Sequence, residues 1–179
     1  MKKIILFLTL LFSLTIFAQK TVYIFNGSSQ PIYIAGLKTK SLSVPNTYLT
    51  TNNFSVPNGL LQPGEIFILE NVSSNTRFPF SFNSTLFSNI SVVNWRRTTN
   101  GGTSFITVSN TNAYSNNGLT QVFDYASFRI GIGGNLGSFS LGVGLPTVVT
   151  GSNWIADYTV NTDPAFPNLQ ETVITISDL

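Results

Sequence analysis

The chain has 179 residues, with 9 Lys and Arg against 7 Asp and Glu, and neither histidine nor cysteine. Lacking both residue types, it can build no Ser-His-Asp or Cys-His arrangement, no His/Cys zinc site and no disulfide. So sparse a charge, without clustered Lys and Arg, also argues against nucleic acid as a partner.

Lys2 and Lys3 precede an apolar run from Ile4 to Phe17 and then Ala18-Gln19. A basic start, a short greasy centre and a small residue at the cut predict a signal peptide over 1–18, leaving Gln19 as the new N-terminus. The ending Phe17-Ala18-Gln19 resembles export signals of Bacteroidota-type bacteria, and no cysteine stands near the cut for a lipoprotein anchor. The expected mature chain is 179 − 18 = 161 residues, with 9 − 2 = 7 basic and 7 acidic side chains. That length suits a single domain, 19–179, with a core of its own.

Thr21–Asn26 and Pro31–Leu37 flank Gly27-Ser28-Ser29-Gln30 and read as a hairpin. Lys38–Asn53 reads as a polar loop or weak edge, and Glu65–Val72 as a strand after the turn signals Pro57-Asn58-Gly59 and Gln62-Pro63-Gly64. Phe78, Phe80 and Phe82 share one face of an edge or extended segment, because Pro79 cannot donate to a ladder. Ile90–Arg97 and Thr103–Val108 form a second hairpin about Asn100-Gly101. Asn110–Gly118 reads as an Asn/Ser-rich loop, and Thr120–Ile132 as a long strand.

Phe128–Leu145 then alternates apolar residues with small ones about a glycine-rich turn at Gly133–Ser138. This predicts a hairpin in which Ile132, Ile130 and Phe128 face Phe139, Leu141 and Val143. Its other face is nearly bare, with Arg129 opposite Gly142 and Gly131 opposite Ser140. Glycine within a strand is unfavourable unless something approaches the backbone closely. That something could be an internal layer, a docked protein, or a membrane that the hairpin enters. Asn153–Val160 sets Trp154, Ala156, Tyr158 and Val160 on one face, and Glu171–Ser177 closes the chain. About ten or eleven short strands, with no helix after the signal, predict an all-β fold: a single-domain antiparallel β-sandwich, with a closed barrel as the alternative.

Catalysis would rest on the carboxylates alone: Glu65, Glu70, Asp124, Asp157, Asp163, Glu171 and Asp178. Their spacing nominates no glycosidase-type pair, so no enzyme, no cofactor and no metal site is expected. Asn161, Asp163 and Asn168 supply hard oxygens for calcium, but Asp163-Pro164 is also an ordinary turn starter. Trp95 with Arg96 and Arg97 is a candidate binding anchor, since aromatic and guanidinium groups bury area with defined geometry. Arg129, Gly131 and Gly142 are the candidates on the bare face of the glycine hairpin. Tyr33, Tyr48, Trp95, Tyr114 and Tyr158 are possible sugar platforms. The expected function is therefore non-enzymatic: an exported binding or structural component of the bacterial cell envelope or surface, with another protein as partner. A carbohydrate-binding module is the alternative, followed by a membrane-inserting protein.

Overall fold

The computed structural model describes residues 20–71, 76–163 and 166–179, and the side chains of these except 163–169. The predicted signal peptide and its cut lie outside the described residues. Strands numbered along the chain form two facing sheets without a closed barrel, so the sandwich is the architecture. One sheet has the order β11 (Val148–Thr150), β12 (Trp154–Asp163), β13 (Phe166–Asp178), β1 (Lys20–Gly27), β5 (Ile66–Leu69) and β6 (Asn83–Ser84). The other has the order β10 (Gly137–Gly142), β9 (Gln121–Ile130), β2 (Ile32–Ser41), β3 (Tyr48–Phe54), β7 (Val92–Thr98) and β8 (Ile106–Ser109). Its seventh strand, β4 (Leu60–Leu61), pairs with β2. Pairing is antiparallel except between β1 and β13, which run parallel from Lys20↔Gln170 to Gly27↔Ser177.

The core follows from alternation. Val22 and Ile24 of β1, Ile174 and Ile176 of β13, and Trp154, Ala156 and Tyr158 of β12 point inward from one sheet. Ile32, Ile34 and Leu37 of β2 and Ala126, Phe128 and Ile130 of β9 meet them from the other. Each fully buried large side chain contributes about 1.5–3 kcal/mol relative to exposure, which must hold the fold without cross-links. Trp95 is fully buried and stands edge-on to Phe80 at 4.7 Å and to Phe78 at 6.4 Å. The Phe78–Phe82 stretch is neither strand nor extended: the Phe82 N–H donates to the Pro79 carbonyl in a turn that buries Phe78 and Phe80 and leaves Phe82 exposed.

Lys38–Asn53, expected as a loop or weak edge, instead completes β2 and forms most of β3, which pairs on both sides. Three further expectations need correction. β1 and β2 are not a hairpin, because they belong to different sheets. Buried Asn26 makes the corner: its amide donates to the carbonyls of Gln30 and Leu61, while its Oδ1 accepts from the Ser28 N–H and hydroxyl. A buried amide satisfied in this way anchors a turn between layers as firmly as a ladder would within one.

The second correction is a helix. Asn110–Asn117, expected as a loop, is α1. Ser109 caps it by accepting from the Asn112 N–H, and Ala113 is buried. Asparagine and serine are poor helix formers, so the cap and the docked alanine outweigh propensity here.

The third is the register of the glycine hairpin. Phe139 faces Phe128, not Ile132, and their rings stack at 5.1 Å. The loop begins two residues earlier than the pattern suggests, with Gly131 at φ +87° and the Leu136 N–H donating to the Ile130 carbonyl. The slip is even-numbered, so Phe128, Ile130, Phe139 and Leu141 remain buried, while Ile132 (77% exposed), Val143 and Leu145 fall outside the core.

Candidate functional site

The candidate residues separate once placed. Trp95 is core and offers no surface. Arg97, opposite Leu49 and Ile106 in the ladder, is half-buried. Gly131 lies in the β9–β10 loop, where a Cβ would meet Leu136 and Asn135. Gly142 is buried against the next strand, and a Cβ there would collide with the Asp124 carbonyl and with Tyr125. Backbone therefore accounts for the missing side chain at Gly142 only; Gly131 meets side chains of its own loop, and Gly133 and Gly144 face open space. Arg129 stands opposite Ser138 instead of Gly142, and Ser140 opposite Ser127, with the two hydroxyls 2.9 Å apart. Of the proposed sugar platforms, Trp95 and Tyr158 are buried; Tyr33, Tyr48 and Tyr114 remain partly open.

Arg96 and Arg129 both belong to the outer face of the seven-stranded sheet. The register lines up Tyr125, Lys38, Thr50, Arg96 and Thr107 across β9, β2, β3, β7 and β8. The Lys38 ammonium lies 4.2 Å from the Tyr48 ring centre and 5.0 Å from that of Tyr125. The Arg96 guanidinium lies 4.4 Å over Phe105, whose ring meets Tyr48 edge-on at 5.8 Å. Arg129 is 5.8 Å from Tyr33, and the Tyr33 hydroxyl accepts from the Gly133 N–H. Each cation is thus seated on a ring; such contacts contribute about 0.5–1 kcal/mol at exposed sites.

Asp124 accepts ion pairs from Lys38 at 3.4 Å and Lys40 at 3.8 Å. It is the one acid on the strands of this sheet, against Lys38, Lys40, Arg96, Arg97 and Arg129, a net of 5 − 1 = +4. The strands of the other sheet carry Lys20 against Asp157, Asp163, Glu171 and Asp178, a net of 1 − 4 = −3. On that side burial, with Glu70 and Glu171 nearby, pushes the Tyr23 phenol up to about 12. A chain of zero net charge after the expected cut is therefore strongly polarised between its two layers.

Two grooves cross the basic face and share Ala35 and Arg129. One, of about 570 Å³, is lined by Asn52, Asn53, Asn58 and Val93 among others; the second, of about 400 Å³, by Ser127, Ser138 and Ser140. Among the described residues no three acidic side chains come together as metal ligands would, and no helix is long and apolar enough to cross a membrane. The Asn161–Asn168 calcium candidate falls largely on side chains outside those described. Lys38, Tyr48, Phe105 and Tyr125 were not singled out together from the sequence. The signal available was the alternation of Lys38 with Lys40, which marks a strand face instead of a loop. No family model matches the chain, and neither a curated protein nor a solved structure is found similar to it.

Proposed function

We propose that the protein is an exported, non-enzymatic binding module that engages a protein of the cell envelope or surface through the outer face of its seven-stranded sheet. The observation that carries this reading is the row of ring-seated cations, Lys38, Arg96 and Arg129, in a chain otherwise poor in charge. Arginine and tyrosine are the residues enriched at binding hot spots, where they offer large contact area and directed polar groups. Seating each cation on a ring restricts it before the partner arrives, which lowers the ordering cost of association. The partner that fits presents carboxylates, since opposite charge steers encounter and fixes register.

Crosslinked capture from native envelope tests the reading. Wild-type protein should recover a discrete partner, and Arg96→Glu, at an exposed position, should lose it with little change in melting temperature. Equal recovery by both proteins would sink it. A carbohydrate partner is the second reading, favoured by the asparagine- and serine-lined grooves beside Arg129. Against it, the ring pair on the basic face, Tyr48 and Phe105, stands at 70° and offers no flat platform. Retention on envelope polysaccharide freed of protein would favour that alternative.

A further inference from the structure

At one end of the sandwich the layers separate around a cleft of about 640 Å³, within the size range of small-molecule sites. Lys20 and Gln170, register partners on β1 and β13, and Thr162 of β12 line it from the six-stranded sheet. Val122 and Phe123 of β9 and Lys40 of β2 line it from the other, with Leu42, Leu119 and Val143 beside them. Those last three are 68%, 55% and 41% exposed, so aliphatic surface is concentrated where the cleft opens. Scattered apolar side chains on a surface are ordinary; several gathered about one cavity mark a binding site.

The polar groups in the cleft have one sign. The Lys20 ammonium reaches across the layers to the carbonyls of Gln121, Leu119 and Gly118, at 2.9, 3.2 and 3.4 Å. These acceptors are neutral, and among the described residues no carboxylate lines the cleft. Lys40 must share Asp124 with Lys38. Among the described residues the charged groups that line the cleft are Lys20 and Lys40, and Asp124 offsets Lys40 only in part, so positive charge stands beside an apolar wall where it is weakly screened. Burial pushes Lys20 down to about 8, so it still carries its proton at neutral pH.

We infer that this cleft binds a single-chain amphiphile with an anionic head, of the fatty-acid carboxylate class, its tail on Leu42, Leu119 and Val143 and its head between Lys20 and Lys40. An uncharged chain would leave Lys20 without a counter-charge and Lys40 with only a share of Asp124, and a cationic one would add to them. Asp124 links the site to Lys38 of the other face, but Arg96 and Arg129 do not line it.

Calorimetric titration with dodecanoate, below its micelle concentration, tests the inference against dodecanol and dodecylammonium as chain-matched controls. Saturable one-to-one binding of dodecanoate is expected, at least tenfold tighter than either control. Lys20 bridges the layers and its loss could unfold the protein, so the variants are Leu119→Glu and Lys40→Gln at open positions. Leu119→Glu should abolish binding, Lys40→Gln should weaken it severalfold, and Arg96→Glu should leave it unchanged. Equal uptake of all three chains, no uptake of dodecanoate, or dodecanoate binding indifferent to Leu119→Glu would each overturn the assignment.

Discussion

The seven-stranded sheet ends in two hairpins, one at each edge, and they are built by opposite means. β9–β10 closes by removing side chains: Gly142 lets its strand settle on the backbone of Asp124 and Tyr125, while Phe128, Ile130, Phe139 and Leu141 go inside. β7–β8 closes by adding them: Trp95 drives into the core while Arg96, the next residue, is turned out onto Phe105. The two therefore fail differently. A missing side chain in a strand reports on neighbouring backbone, whereas a charge beside a buried aromatic reports on a surface that the core holds still. The partner-binding proposal accordingly rests on the second hairpin and on the strands between the two, not on the glycines.

The largest effect should come from the anchor. Trp95→Ala removes a fully buried indole and should cost about 3–5 kcal/mol, lowering the melting temperature by about 10 °C or more. A small shift in a thermal melt would mean that the β7–β8 edge is not held by its core residue, and the contrast would collapse. Next is Gly142→Thr, where the new side chain has no room. A loss of about 1–3 kcal/mol is expected by chemical denaturation. A neutral or stabilising result would show that the β9–β10 face is open after all and restore it as a docking surface. Arg96→Ala should change stability by no more than about 1 kcal/mol, the worth of its exposed contact with Phe105, yet reduce partner recovery in the crosslinked capture. Loss of stability with partner retained would make Arg96 structural and equate the two edges.

The smallest effect is a control that neither hairpin should alter. The folded-state value of Lys20 lies at about 8, below its ordinary 10.5, so between these the unfolded chain holds the proton more tightly. Stability should therefore rise gently with pH across that window. The rise, followed by melting temperature, should persist in Gly142→Thr and Arg96→Ala; a flat profile in the wild-type protein would mean that folding does not desolvate Lys20.

Much of this fold is legible in the residues. Strict alternation marks β12 and β13, and Asn100-Gly101 marks the β7–β8 turn, because strand period and turn conformation are local properties. What is not local is harder to read. Four residues between two apolar runs look like a hairpin turn whether the chain folds back within one sheet or crosses to the next. Only the burial of Asn26 distinguishes the two, and burial belongs to the tertiary structure. The register of β9–β10 was settled by the stacking of Phe128 on Phe139 and of Phe139 on Trp154, a residue of the opposite sheet. The binding face draws Tyr125, Lys38, Tyr48 and Phe105 from widely separated segments, and its sign was hidden by an overall balance of charge. Trp95, Arg96 and Arg97 were visible as a cluster, but which of them faces water depends on the bulged pairing of β3 with β7.

The parallel pairing of β1 with β13 has a mechanical consequence. A parallel neighbour places Lys20 and Asp178 at opposite ends of the same ribbon, about 25 Å apart at the usual rise per residue. Tension applied between those two residues would slide the strands past each other, stretching all eight register pairs at once. A hairpin pulled from its open end would instead unzip pair by pair. The domain is thus arranged to resist stretching along its own chain, and in a single-molecule pulling experiment it should yield at far higher force when held by Lys20 and Asp178 than when held across the β9–β10 edge.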